Sequence, residues 1–389
     1  MQKKLLLCAV ASAVAMAGGT AMAAPDFTVY GKIDTGIWAH KTTGHKKTTV
    51  TKSTIVEMAS GITGGSRWGI KGVEELGNGY SVGFRLEEGF NSDDGTYSSN
   101  STGRAFGRDC YLDFTGPFGN VRVGRTGALA SGNGPTGIMG RVSPFSITWK
   151  NAAVSKVFSG NITARIDNSI TYQTPTFSGL TGFVQYSNGI DGDDAVRDSQ
   201  KDRYLAVGAA YHAGALRLVA VFDNKYFNDK IDPDKNPRYQ RTLKDQRTYN
   251  IGGSYNFGGT RVYAGYQYGE NIEKPKNLND KLAANAKAST TRSNMGQEEG
   301  YETNAYTLGT SMKLAGGELK GVVGYAKGKR GYKDQEFKVY QAALGYLYPM
   351  SKSTSVYGGV QFMRVDNENT TDERHERDRG AFIGMVHNF

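Results

Sequence analysis

Arg67, Lys71, Arg85 and Glu87 stand at alternate positions in GSRWGIKGVEELGNGYSVGFRLEEGF, residues 65–90. The intervening positions carry Trp68, Ile70, Tyr80, Val82, Phe84 and Leu86. Side chains that alternate this way lie on two faces of a strand, and Gly77-Asn78-Gly79 marks the turn between two of them. The charged face can attract and orient ions. It must touch water, because unpaired charge is expensive to bury. The apolar face needs a neighbour that is not water. Other chemistry finds no support. The histidines (His40, His45, His212, His375 and His387) show no metal-ligand spacing. Gly132-Asn133-Gly134-Pro135-Thr136-Gly137 fits G-x-G-x-x-G, but no helix or βαβ unit follows it. No G-x-S-x-G or H-E-x-x-H occurs, so no enzyme and no cofactor is expected.

Strands must position the charged face, and the alternation runs through the whole chain. Thr248, Asn250, Gly252 and Ser254 oppose Tyr249, Ile251 and Tyr255. Tyr306, Leu308, Met312 and Leu314 oppose Thr307, Ser311 and Lys313. Sixteen such segments are predicted, at 26–40, 66–76, 80–92, 104–115, 120–126, 161–174, 180–190, 203–213, 215–227, 247–257, 260–270, 302–314, 318–329, 337–348, 354–366 and 378–389. Tight turns alternate with long connectors, expected at 41–65, 93–103, 127–160, 191–202, 228–246, 271–301, 330–336 and 367–377. Most segments reach the ~9–11 residues that a tilted strand needs to cross a bilayer. Abundant Gly (52) and Tyr (23) with few Pro (9) suit a transmembrane barrel, whose strands need one apolar face only. No blade repeat argues for a propeller. The expectation is an all-β fold, a 16-stranded antiparallel transmembrane β-barrel with lipid outside and a charged lumen inside.

The N-terminus supports export. MQKK is followed by a short apolar run and then Ala21-Met22-Ala23, the pattern of a signal peptide over residues 1–23 with the barrel at 24–389. Without Lys3 and Lys4, 45 Lys+Arg face 37 Asp+Glu, a net charge of +8. Cys110 is then the single cysteine, expected as a small packing residue. The basic charge is interleaved with strands in an exported chain, so it is no signal of nucleic-acid binding.

FTVYGKIDTGI (27–37), SRWGIKGVEELGNGYSVGFRLEEGFN (66–91), FGRDCYLDFTGPFGNVRVGR (106–125), RIDNSITYQTPTFSGLTGFVQY (165–186) and the terminal Phe389 resemble the trimeric Gram-negative general porins, in particular the beta-proteobacterial branch. The resemblance spans the mature chain. It implies a homotrimer in the outer membrane, in contact with lipid and lipopolysaccharide. It also implies a third loop, here 127–160, folded into the lumen as a constriction facing a basic ladder. Position by position it carries Arg67, Arg108 and Arg165 to that eyelet, and strand parity adds Lys32, Lys71 and Arg85. The loop departs from the family pattern. Residues 114–166 hold no Asp or Glu, yet hold Arg122, Arg125, Arg141, Lys150, Lys156 and Arg165. By parity Glu87 and Asp167 are the nearest lumen carboxylates. The expected pore constriction is therefore Arg67, Lys71, Arg85, Glu87, Arg108, Arg141 and Arg165, passing small hydrophilic solutes, mainly anions. A channel selective for phosphate, dicarboxylates or oligosaccharides, or a surface receptor or adhesin on a barrel scaffold, is the alternative. DNENTTDERHERDRG (366–380) is expected as a solvated external loop.

Overall fold

The computed structural model describes residues 26–46, 49–98, 103–190, 201–227, 244–272, 300–330, 335–368 and 374–389. The expected signal peptide lies outside the described residues, as do most of the connectors at 191–202, 228–246 and 271–301. Strands follow the alternation: β1 (Asp26–Lys46), β2 (Thr49–Ser60), β3 (Arg67–Gly77), β4 (Tyr80–Gly89), β5 (Asp109–Gly116), β6 (Gly119–Gly127), β7 (Arg165–Gln173), β8 (Leu180–Ser187), β9 (Arg203–Ala213), β10 (Leu216–Tyr226), β11 (Gln246–Asn256), β12 (Thr260–Ile272), β13 (Tyr301–Leu314), β14 (Gly317–Arg330), β15 (Gln335–Pro349), β16 (Thr354–Glu368) and β17 (Arg374–Asn388). Each pairs antiparallel with its neighbours, and the sheet closes where β1 meets β17, from Lys32↔Asn388 to Lys46↔Arg374. Gly31 and Phe389 extend that seam with reciprocal backbone hydrogen bonds of 2.8 and 3.1 Å. Closure leaves no unpaired edge inside the membrane.

The strands fill sixteen staves, because β2 and β3 lie end to end on one side of β1. β3 pairs with β1 from Asp26↔Val73 to Lys32↔Arg67, and β2 takes over from Thr35↔Ser60 to Lys46↔Thr49. The break between them is organised by Asp34, which is fully buried. Its carboxylate accepts hydrogen bonds from the Thr63 and Gly64 amides (2.8 and 3.0 Å) and from the hydroxyls of Thr63 and Tyr357 (both 2.5 Å).

Three expectations are corrected. The connector expected at 41–65 is mostly strand, since β-branched Thr, Val and Ile dominate residues 49–56 and continue the ladder with β1. The charged stretch 366–380 is likewise largely strand. Asp366 pairs with Arg364 at 2.7 Å and faces His375 across the β16–β17 ladder, with Nδ1 2.8 Å from its carboxylate, so these contacts order the charged stretch on the ladder. Residues 104–108 and 161–164 fall outside strands. The Glu88 carboxylate takes the Gly107 amide (2.5 Å), and the Asn161 side chain donates to Asp223 (2.7 Å), so side chains hold these segments off the ladder.

The two faces of the wall reverse the arrangement of a soluble protein. Outward Ile251, Leu308 and Ile383 are 55–64% exposed, while inward Asn250, Thr307 and Gln361 are almost fully buried. Such a continuous apolar exterior requires a nonpolar solvent. Outward Tyr266, Tyr306, Tyr325 and Tyr340 form a run of ring contacts at 5.1, 6.5 and 5.4 Å on β12 to β15, at the level expected of an interfacial girdle. The apolar core lies inside the barrel. Leu129, Ile138, Met139, Val142, Val154, Val157, Phe158 and Ile162, all between β6 and β7, pack on inward Tyr204, Val221, Ala305, Ala326 and Val339.

Candidate functional site: a basic wall opposite an inward-packed loop

Register brings the charged residues of β1, β3, β4 and β5 to one patch. Lys32 is opposite Arg67, Lys71 opposite Arg85, and Glu87 opposite Asp109. Arg108 immediately precedes β5 and Arg165 opens β7. Two carboxylates hold four arginines. Glu87 accepts from Arg108 Nε at 2.6 Å, lies 3.4 Å from Arg67 Nε, and accepts the Tyr30 hydroxyl at 2.9 Å. Asp109 lies 3.5 Å from Arg165 Nε and 3.7 Å from Arg85 Nη1. Lys71 and Arg85 also sit over the Tyr30 ring, 5.3 and 5.4 Å from its centroid. Six cations (Lys32, Arg67, Lys71, Arg85, Arg108 and Arg165) thus face Glu87 and Asp109. Asp34, beside Lys32 and held by neutral donors that leave its charge in place, is a third carboxylate on this wall. The wall keeps an excess of positive charge.

The segment from Ala128 to Ala164 packs inside the barrel on inward-facing groups around its circumference. The Leu129 amide donates to Gln185 (2.7 Å), the Ser159 amide to Gln267 (2.6 Å), the Asn151 amide to Gln361 (2.8 Å) and the Trp149 amide to the Ile62 carbonyl (2.6 Å). Phe145 and Trp149 pack with Tyr357 and Phe382, rings 5.3–6.4 Å apart. A row of inward glycines makes the space. A Cβ on Gly252 would stand 2.6 Å from Val142, on Gly309 2.5 Å from Pro144, on Gly324 2.5 Å from Val157, and on Gly345 2.9 Å from Phe145. The G-x-G-x-x-G stretch has the same explanation. Gly132 meets Gly140 and Ile147, and Gly134, with φ of +58°, lies against Asp109.

Arg67, Lys71, Arg85, Glu87, Arg108 and Arg165 are brought together. Arg141 is not with them. It lies on the loop, where burial and the like charge of Arg217 on β10 hold its guanidinium below the ordinary range. Asp167, expected as a partner of the ladder, instead takes Arg125 at 2.5 Å and Arg104 at 2.6 Å. Arg122 pairs with Asp113 at 2.7 Å. His40 stacks on Trp38 (4.0 Å) and meets Asp378 at 2.8 Å, and no group of metal-ligating side chains occurs among the described residues. Sequence reading missed Asp109 and the glycine row. Asp109, Tyr111 and Asp113 share the alternation that marked Glu87, so parity could have found the first.

A sequence profile described as Gram-negative porin matches residues 9–369. The chain belongs to the Gram-negative porin family. This porin is 28% identical to an outer membrane porin protein of Bordetella pertussis, over 92% of this chain and 93% of that one. It is 28% identical to outer membrane porin protein 32 of Delftia acidovorans, over 97% and 94% of the two chains. Among solved structures, an anion-selective porin from Comamonas acidovorans superposes with a TM-score of 0.66 at 23% identity, covering 94% of this chain and 100% of that one. OmpT of Vibrio cholerae in a trimer form gives a TM-score of 0.55 at 12% identity, covering 92% and 100%. These likenesses establish the closed antiparallel barrel. With the family, they place this porin in the outer membrane.

Proposed function

We propose that this porin conducts small hydrophilic solutes passively and prefers anions. In this reading Arg67, Arg108 and Arg165, flanked by Lys32, Lys71, Arg85 and Glu87, line the narrow passage between the basic wall and the loop. The observation that carries it is the charge imbalance: six cations against three carboxylates (Asp34, Glu87 and Asp109) on one wall, opposite a loop with no carboxylate of its own. Screening limits selectivity to charges near the passage, since the Debye length is ~10 Å at 0.1 M salt. In a narrow, partly desolvated site each charge acts more strongly than in bulk water. The Comamonas protein's description as anion-selective agrees with this reading. A homotrimer in contact with outer-membrane lipid and lipopolysaccharide completes the proposal, supported by the trimer form of OmpT.

The test is the zero-current potential across a planar bilayer under a KCl gradient. The native protein is expected to give an anion-side potential, and Arg67→Ser, Arg108→Ser and Arg165→Ser together should abolish it. A cation-side potential from the native protein refutes the reading.

A further inference from the structure

A second basic group stands on the other side of the loop, nearer the tight turns. Register sets Arg217 on β10 beside Ser254 on β11, and Arg261 on β12 beside Ser311 on β13, which in turn faces Lys320 on β14. All five lie on the inward face, because the alternate Leu218, Tyr255, Val262 and Met312 are exposed outward. The Arg261 Nη1 donates to the Ser254 hydroxyl at 2.9 Å, which brings its guanidinium toward Arg217. Above them the loop contributes Arg141. Val142 is seated over Gly252, two residues along β11 from Ser254, and Arg141 has Arg217 as its like-charged neighbour. Among the described residues, no carboxylate pairs with Arg141, Arg217 or Arg261. Glu318, on β14, is engaged by Lys320 at 3.2 Å. Lys320 is also tied to the loop, donating to the Pro144 carbonyl at 3.2 Å.

We infer that Arg141, Arg217 and Arg261, with the Ser254 hydroxyl, form a second anion-holding station that favours oxyanions of two or more charges. The inference rests on the anion-channel reading and deepens it. Arg141 and Arg217 repel each other, Arg261 reaches across to Ser254 opposite Arg217, and none has a paired carboxylate among the described residues, so a multiply charged anion relieves this excess of charge more than chloride does. Guanidinium forks match the paired oxygens of a phosphate, and the station offers donors with no competing carboxylate. Arg217 is one residue into its strand, whereas Arg85 and Asp109 stand five to seven residues from their tight turns. At ~3.3 Å per residue on tilted strands, the two stations are separated by roughly 10–15 Å in depth. That exceeds the Debye length in ordinary salt, so they act in series as separate sites.

The experiment uses inorganic pyrophosphate as the probe. Its concentration for half-block of KCl current is measured for the native protein, for Arg217→Ser/Arg261→Ser and for Arg217→Lys/Arg261→Lys. The serine variant is expected to raise the half-block concentration by about fivefold, as fits the loss of partly exposed charge pairs. The lysine variant, which keeps charge but loses the fork, should recover part of the difference. Both arginines project from the inner wall into water-filled space, so the barrel is expected to survive; resistance to unheated SDS checks this. A native anion-side potential with a half-block concentration changed by less than twofold in the serine variant overturns the second station alone. A native cation-side potential removes the functional reading and the station with it.

Discussion

Glu87 accepts from Arg108 and Tyr30 and is ion-paired with Arg67, so its removal separates charge effects from structural ones. Glu87→Gln keeps the shape and the Tyr30 hydrogen bond but leaves Arg67 and Arg108 without their counter-charge. Breaking a buried pair costs ~3–5 kcal/mol, and partial access of both arginines to water reduces that to about 1–3 kcal/mol. The expected outcome is a lower denaturation midpoint together with a stronger anion-side zero-current potential. A variant that loses stability with no change in potential would place Glu87 away from the ion path. Lysines give a second handle at this scale. Burial holds the amines of Lys150 and Lys156, both on the loop, below the ordinary lysine range. They therefore discharge at lower pH than free lysine, while the arginines stay charged. Anion preference should weaken as pH rises into the alkaline range. Lys150→Arg/Lys156→Arg should flatten that dependence, read as zero-current potential against pH.

At the scale of elements, the loop is fixed by what the opposite strands lack. Gly309 leaves room for Pro144, and a Cβ there would come within 2.5 Å of its ring. Gly309→Val should shift the loop, lower stability by about 1–3 kcal/mol as overpacking does, and change single-channel conductance. Gly321 on β14 is the control, since its Cβ would meet nothing nearer than 3.7 Å. Gly321→Val is expected to leave conductance unchanged. Equal effects from both would show that glycine matters here for strand flexibility rather than for loop packing.

This contrast also shows what the sequence could reveal. Alternation is a local signal, so the strands, their faces and the charged positions Arg67, Lys71, Arg85 and Glu87 were all readable. The meaning of Gly252, Gly265, Gly309, Gly324 and Gly345 was not, because the atoms that require them belong to a loop about 100 to 200 residues away in the chain. The same holds for Asp34, whose partners Thr63 and Tyr357 meet only when the barrel closes. Residues 41–60 of the β1–β2 hairpin read as a connector because their Lys and Thr look solvated. In the barrel they continue the β1–β2 ladder out to Lys46↔Thr49, so pairing rather than polarity decides their structure.

For the whole molecule, the exterior differs around its circumference. The tyrosine run on β12 to β15 ends at Tyr340, and its outward neighbours on β16, β17 and β1 are Arg364, Arg377 and Thr43. Below that level Ala39, Val56, Ala381, Ile37, Met58 and Ile383 form a small-residue and aliphatic face across β17, β1 and β2. A face whose rim carries Arg364, Arg377 and Thr43 in place of tyrosine, with alanines below them, suits close contact with another barrel better than contact with lipid headgroups. The expectation is that subunits of the proposed trimer meet there. An arginine in place of Ile383, on that face, should yield folded monomers in unheated SDS gels, because an unpaired charge would be trapped between barrels. An arginine in place of Leu308, on the tyrosine-bearing side, should keep the trimer. It should lower folding stability in bilayers by about 1–2 kcal/mol, because Leu308 lies only two residues from the girdle level of Tyr306 and such a charge costs less there than at the midplane. If the Ile383 variant stays trimeric while the Leu308 variant dissociates, the contact face lies on the opposite side of the barrel, and the gap in the girdle has another cause.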